Sequence, residues 1–564
     1  MTLLSKILLI AAIIAISVSA FAADRSDSGS LLRESAPPQS MKPQQQLPKI
    51  APQQQQKETV TDGVRVKVSG FTFIGNTIFT REELTALMSG YIGKELTLAE
   101  LTNAAATITN AYRAKGYFLA SAHIPPQTIK SEASIIIEII EGVLEGVRLE
   151  TKPPETRTPH SLLQRYVARV PTGKPADEEA LSDMVMRINE IPGINSRILL
   201  EPGSQPGTTK AVLEVTEGKP YSFALDTDNH GSYSTGYYRA GASMELYSPL
   251  RMGDLFSLRA QTSFSGKTQS ALAGYSLPIF GSGARLGLNY SFVIYKLGES
   301  FEDLDASGEA HNFTLTLTQP LVRSRNLILN FSLAGDGKIL DDRTGSAGQK
   351  NQRHTVAGQA GISGIEMDTL LGAGSTSFSL NYVGGYLNID DETTLDNDQS
   401  SYGLHTNGGY SKLSLSLSRN QSLYKSLSLY TGISGQWAST NLDSAEQFSL
   451  GGPSGVRAFP VSEGSGDKGF VSTAELRYLI SSLGPIPGSL QLAAFVDHGY
   501  VVVHTNPLDP DNSRSLTGIG FGVSWFDEGG FSIRTSTAWR TGGDATGKSA
   551  MEAPTVYLQA MKRF

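Results

Sequence analysis

The chain contains no cysteine, which excludes disulfide frameworks, thiolate metal sites and cysteine nucleophiles together. That absence suits a protein crossing an oxidising periplasm, where stray thiols mispair. Charge is scarce as well: Asp, Glu, Lys and Arg make up 18 % of the residues, below the usual quarter. The net charge of −7 argues against nucleic acid as a partner. Beyond residue 22 no window approaches the roughly 18 consecutive apolar residues of a membrane helix, so any insertion into a bilayer must use strands. No GxSxG elbow occurs, and the eight histidines are scattered without a pair at metal-ligand spacing. No catalytic, cofactor or metal site is expected, and the chain does not read as an enzyme. Residues 542–549 fit the phosphate-loop pattern GxxxxGK[ST] by letter. A strand pattern precedes them, and Pro554 and another strand follow, so the helix that would hold a phosphate is missing and an outer loop is expected.

What the chain has in quantity is length, glycine and rings: 564 residues, 58 Gly, 21 Tyr and 22 Phe. The length calls for several domains. Residues 1–22 read as a secretory signal, with Lys6, an apolar run from Ile7 to Val18, and Ala20-Phe21-Ala22 as the cleavage site. Residues 23–60 read as a linker, rich in Pro and Gln between Pro37 and Lys57, a composition that cannot bury a core. Within it Ser28–Ser35, with Leu31 and Leu32, has the makings of one or two helical turns.

Two small α+β units are expected next, at 61–143 and 144–218. In the first, Val64, Val66 and Val68 alternate with polar residues, and Gly75-Asn76 makes a turn. Thr80-x-x-Glu83 and Thr97-x-x-Glu100 are capping boxes that open helices, the second ending at Gly116. Tyr117–Ile124 and Ile135–Ile140 read as strands. The second unit repeats the theme less regularly, with strands at 144–149, 198–200 and 211–215 and helices at 162–167 and 177–191. Each leaves an edge strand and a groove that can accept an extended peptide.

From Tyr221 to Phe564 helical periodicity vanishes and short alternating segments take over. Phe256, Leu258, Ala260 and Phe264 share one face, and Arg259 and Gln261 the other; Leu413, Leu415 and Leu417 alternate with serines. Alternation in segments of about ten residues is the signature of a membrane barrel with a wet interior. Sixteen strands are expected over 219–564, the last six at 426–438, 470–480, 489–501, 515–526, 531–540 and 555–564. Their connectors alternate short and long, as turns on one side of a membrane and loops on the other do.

The longest connector, 440–469, carries no strand or helix pattern, and so long a stretch is usually functional or disordered. Its apolar Val456 and Phe459 around the single charge of Arg457, beside Ala458, suit a loop folded back into the lumen with an acidic partner waiting there. Parity supplies candidates. Leu490, Leu492, Ala494 and Val496 form a lipid-facing row, so Phe495, Asp497 and Gly499 face inward. Ala474, Leu476 and Tyr478 likewise put Glu475 inside, a rival to Asp497 for Arg457.

An ordered set of short motifs resembles the outer-membrane transporters of two-partner secretion, the haemolysin- or adhesin-secreting type. The set comprises Gly75-Asn76-Thr77, Gly116-Tyr117-Phe118-Leu119-Ala120, Pro126-Gln127, Glu141-Gly142, Pro192-Gly193, Asp228-Asn229, Gly253-Asp254, Val456-Arg457-Ala458-Phe459 and Phe495-Val496-Asp497-His498-Gly499. The resemblance implies two periplasmic POTRA domains before a sixteen-stranded transmembrane barrel in a Gram-negative outer membrane. It implies one secreted partner exoprotein, bound as an extended segment by the POTRA domains, with outer-membrane lipid around a monomeric barrel. It also implies a lumen pairing of Arg457 with Asp497, although Ala458 and Phe459 replace the family's more usual Gly and Tyr. The family often plugs its pore with an N-terminal helix, for which Ser28–Ser35 is the candidate here. The terminal Phe564 resembles a barrel-assembly signal. A passive porin-like channel and a barrel-assembly factor are the competing functions.

Overall fold

In the computed structural model, residues 26–35, 65–128, 132–152, 156–279, 281–484, 487–507, 510–545 and 553–564 are described. The expected signal peptide and the Pro/Gln-rich stretch lie outside them.

Two small units precede the barrel and repeat one strand order. The first sheet runs Glu95–Thr97, Arg65–Ile74, Glu132–Ile140, Ser121–His123; the second runs Lys174–Pro175, Val143–Thr151, Thr208–Glu217, Ile194–Pro202. In each the central pair is parallel and slips register by a bulge, at Val68/Gly70 and at Leu144/Gly146. The helices Arg81–Met88 and Leu98–Ala114 start at the two expected capping boxes, where Thr80 and Thr97 accept from the N–H of Glu83 and Glu100. Leu84, Ile108 and Tyr112 are fully buried against Ile137, and in the second unit Leu163, Leu181 and Ile188 against Leu213. Glu95–Thr97 and Ser121–His123 lie at the edges of the first sheet, and Lys174–Pro175 and Ile194–Pro202 at the edges of the second.

The sequence pattern predicts a strand over Tyr117–Ile124, but only Ser121–His123 pairs. Tyr117 packs on the first core while Phe118 and Leu119 pack on the second. The run is apolar because it is the seam between two cores, which local alternation does not reveal.

Glu141 closes the first unit. Its carboxylate accepts from the N–H groups of Thr77 (2.6 Å) and Ile78 (3.0 Å), the Tyr112 hydroxyl (2.7 Å) and the Thr77 hydroxyl. Burial alone would push its pKa up, but these donors outweigh it and hold the carboxyl below the usual range. The Tyr112 hydroxyl is pushed up in turn, by burial first and then by Glu141. Gly75 sits at φ +89°, with its missing Cβ directed at the carbonyl of Ile139, so the turn delivering Thr77 requires glycine.

Sixteen strands, from Tyr221–Asp228 to Thr555–Arg563, close into one antiparallel barrel, the last pairing with the first. Closure leaves no edge in the lipid. The last six strands, Leu427–Ala438, Lys468–Ile480, Ser489–Val502, Ser513–Phe526, Phe531–Gly542 and Thr555–Arg563, fall where alternation put them. Strands Ala306–Arg323, Leu327–Thr344 and Gln349–Asp368 have 18, 18 and 20 residues, more than the roughly ten that cross a bilayer, and so project beyond it. No helix among the described residues is long and apolar enough to cross a membrane. The second unit docks on the barrel's short-turn end, where Arg187 donates to the carbonyl of Ser282 (2.7 Å) and Arg323 pairs with Glu190.

Candidate functional site

Barrel strands expose one face to lipid, and the other must be wet or filled. Parity sorts the relevant residues as alternation requires: Leu476, Tyr478, Leu492 and Val496 are exposed outside, whereas Glu475, Phe495 and Asp497 are buried within. The connection between Ala438 and Lys468 folds back into this lumen. It is not wholly without structure, because Phe448–Ser449 pairs with Ser465–Gly466 as a two-residue ladder. Inside that ladder the chain tightens: the Val456 N–H donates to Leu450 O (2.7 Å), and the Phe459 N–H to Val456 O (3.1 Å). Val456, Ala458 and Phe459 are fully buried, packed with Leu450, Val501 and Leu516.

At the tip Arg457 meets both rival carboxylates. Its Nε and Nη2 donate to Asp497 at 2.8 and 2.7 Å, and its backbone N–H reaches the same carboxylate at 3.1 Å. Nη1 pairs with Glu475, and Nη2 also reaches the Thr473 hydroxyl (3.1 Å). The guanidinium lies 3.3 Å from the centre of the Phe495 ring, so one planar cation is forked by carboxylates and stacked on an aromatic face. Asp497 is completely buried, and Thr473 donates to it at 2.7 Å. Arg477 holds the outer oxygen of Glu475. Lysine could not make this set of bonds, because its ammonium is a point charge without the fork.

Close approach explains the small residues. A Cβ at Gly499 would meet Leu450 and Val456 at 3.1 Å, and one at Gly518 would meet the Ala458 methyl at 2.5 Å. Ala458 therefore fits only because a glycine of the wall, Gly518, lies directly against it. The backbone beyond the tip is held by the barrel's last strands: Tyr557 donates to Phe459 O (2.7 Å), Thr555 to Ala458 O (2.9 Å) and Arg540 to Ala458 O (3.2 Å).

Sequence reasoning did not single out the pairs that hold the rest of the loop. Glu446 is buried between Lys338 and Lys412, Asp443 pairs with Arg353 at 2.6 Å, and Glu463 pairs with Arg514 at 2.7 Å. Parity of the leucines at 413–417 already turned Lys412 inward, and that signal was available. His498, which alternates with Asp497 along the strand, meets the outward Thr517 hydroxyl at 2.9 Å.

The lumen also holds Ser28–Glu34, a helix capped by Asp27. Leu31 is buried against Val293 and Tyr295 of the wall. Ser28 donates to Asp342 through its N–H (2.9 Å) and hydroxyl (2.8 Å), Arg33 to the carbonyl of Gln447, and Ser462 to Glu34. Phe564 lies at the opposite end, half-exposed, its N–H on Phe223 O (2.8 Å) and its ring 5.8 Å from that of Phe223. Residues 543–545 of the phosphate-loop lookalike follow the strand Phe531–Gly542, and 546–552 lie outside the described residues. No group of His, Asp and Glu fit to hold a metal occurs among the described residues.

Residues 207–525 match the family model described as haemolysin secretion/activation protein ShlB/FhaC/HecB, and residues 66–142 match the ShlB-type POTRA domain. The heme/hemopexin transporter protein HuxB of Haemophilus influenzae is 28 % identical over 538 residues, covering 93 % of either chain. The outer membrane transporter CdiB of Dickeya dadantii is 26 % identical, with 85 % of this chain and 84 % of that one covered. Among solved structures, CdiB from Escherichia coli superposes with a TM-score of 0.69 at 22 % identity, covering 91 % of this chain and 93 % of that one; it shares the fold.

Proposed function

The chain belongs to the haemolysin secretion/activation protein family, transporters that sit in the outer membrane and secrete a partner exoprotein, and from that premise we propose how its parts divide the work. The two POTRA units, 61–143 and 144–218, stand in the periplasm and capture an unfolded segment of the exoprotein along an outermost strand. Backbone pairing gives affinity there, and the adjacent groove gives specificity. The barrel, 219–564, is the export path, and a single copy suffices because the lumen lies within one closed sheet. The exit is held shut by the loop 440–469 and by the Ser28–Glu34 helix. Arg457, with Val456, Ala458 and Phe459 around it, locks the loop to Asp497 and Glu475 beside Phe495 and Gly499. Phe564 serves as the barrel-assembly signal.

The observation that carries this reading is the occupied lumen. A passive channel needs a standing opening, whereas here the chain's own segments lie in the interior and are pinned by charge pairs to its wall. An assembly factor would need no exit path for cargo at all. Directionality would come from the exoprotein folding outside, without nucleotide.

The test is binding. A fragment covering residues 60–218 should be soluble and should bind the N-terminal region of the exoprotein only in unfolded form. Affinity should be modest, since the segment is ordered on binding. A fragment that ignores the exoprotein while the full transporter still secretes would move recognition to the barrel.

A further inference from the structure

The lumen helix and the lumen loop are held by one side chain in common. Arg353, on the inner face of Gln349–Asp368, is almost completely buried and donates in three directions. Its Nε reaches Asp443 of the loop at 2.6 Å, its Nη1 reaches Asp342 of the wall at 2.8 Å, and its Nη2 reaches Asp27 at the head of the helix at 3.4 Å. Nη2 also lies 3.4 Å from the Ser444 hydroxyl. Asp342 accepts from Ser28 and from the Tyr295 hydroxyl (2.7 Å), and Asp443 from the Ala445 N–H (2.9 Å). The helix and loop also touch directly, since a Cβ at Gly29 would lie 2.6 Å from the nitrogen of Ala445.

We propose that Arg353 is a positioning residue that couples the lumen helix to the first half of the lumen loop, so that one does not leave its seat without loosening the other. Three carboxylates from three elements converge on one guanidinium, whose fixed fork can serve all three. Without it they would face each other around a buried position, and like charges there repel. The wall carboxylate is fixed in the barrel, so the two movable ones, Asp27 and Asp443, give way. The Arg457 tip lies elsewhere in the loop with partners of its own, so the coupling reaches the segment around Asp443 and Ala445 first. By reciprocity, whatever draws the helix out also weakens that segment's hold.

The chain's lack of cysteine makes the test clean. Single thiols are placed at Ser35→Cys, at the end of the helix, and at Ser449→Cys, in the loop, in otherwise identical full-length transporters. Their rates of reaction with a water-soluble maleimide are measured with Arg353 intact, with Arg353→Ala and with Arg353→Lys. Heat-modifiable gel mobility checks that each barrel is folded. Arg353→Ala should raise both rates at least about tenfold, and Arg353→Lys, which keeps the charge but not the fork, should raise both by less. A rise at only one thiol, or at neither, overturns the coupling; if Arg353→Ala fails to insert, Arg353→Lys decides by the same rule. The inference rests on the helix being a plug, and deletion of residues 26–35 tests that separately. Unchanged conductance of the deleted protein in planar bilayers would remove the plug reading, while the labelling comparison would still report whether the two segments move together.

Discussion

In the first periplasmic unit Glu141 is gripped by neutral donors, three of them from the Thr77-Ile78 turn and one from Tyr112, above a core of fully buried apolar side chains. In the lumen Asp497 is completely buried, but its chief partner is a cation on a loop, with an apolar cluster behind it. The two regions therefore respond differently to change. Apolar burial has no substitute partner, so a packed core either holds or unfolds. A charge pair in a lumen can be exchanged for water or for another charge as the segment moves. The first periplasmic unit is held chiefly by apolar burial, and the lumen loop by charge pairs as well as packing.

The largest effect is expected in the periplasmic core. Ile108→Ala should cost the 60–218 fragment about 2–5 kcal/mol, read by urea denaturation, and leave barrel insertion untouched. A cost below about 1 kcal/mol would mean that the unit is not organised by that core.

The lock comes next. Removing one partner of a buried pair costs about 3–5 kcal/mol in a dry core, and a lumen is wetter, so the effect should be smaller and appear as a displaced loop. Arg457→Ala and Asp497→Ala should each reach the outer membrane at near-normal levels and secrete poorly. In a double mutant cycle the two losses should overlap rather than add. The exchange Arg457→Asp with Asp497→Arg should recover part of the loss, limited by guanidinium geometry at the new site.

Glu141→Gln sharpens the other side of the contrast. It should destabilise the fragment by about 1–3 kcal/mol, since the donors lose a charged acceptor. The Glu141 carboxyl is held below its unfolded pKa, so its contribution is complete above the unfolded value and disappears as pH falls through the folded one. Fragment stability should therefore decline on acidification, and the Glu141→Gln variant should decline less steeply. Parallel pH profiles for the two proteins would show that Glu141 contributes nothing to the difference.

The smallest effect is expected at Glu475. Asp497 takes three bonds from Arg457 and one from Thr473, whereas Glu475 takes one from Arg457 and shares itself with Arg477. Glu475→Gln should lower secretion less than Asp497→Asn. The reverse order would make Glu475 the principal anchor.

The strands are legible in this sequence because a barrel wall separates lipid from lumen, and that separation writes a period of two into every strand. The same rule turned Asp497 and Glu475 inward, and it left their rivalry open because inward direction does not measure reach. The structure resolves the rivalry by placing Arg457 against both. The capping boxes at Thr80 and Thr97 were legible because a cap is a contact three residues long. The run Tyr117–Ala120 misled because its apolar character serves two cores at once, which only the packing of the units discloses.

By itself, then, the sequence determined the barrel, the two units before it, the long loop and the inward direction of the loop's candidate partners, all carried by patterns a few residues long. Tertiary structure alone decided what those inward groups meet. Asp27, Asp342, Arg353 and Asp443 are spread across more than four hundred residues and come together only when the strands close and the helix and loop enter the same space. No local period records such a meeting, because a buried charge constrains the sign of its partner and not the partner's position along the chain.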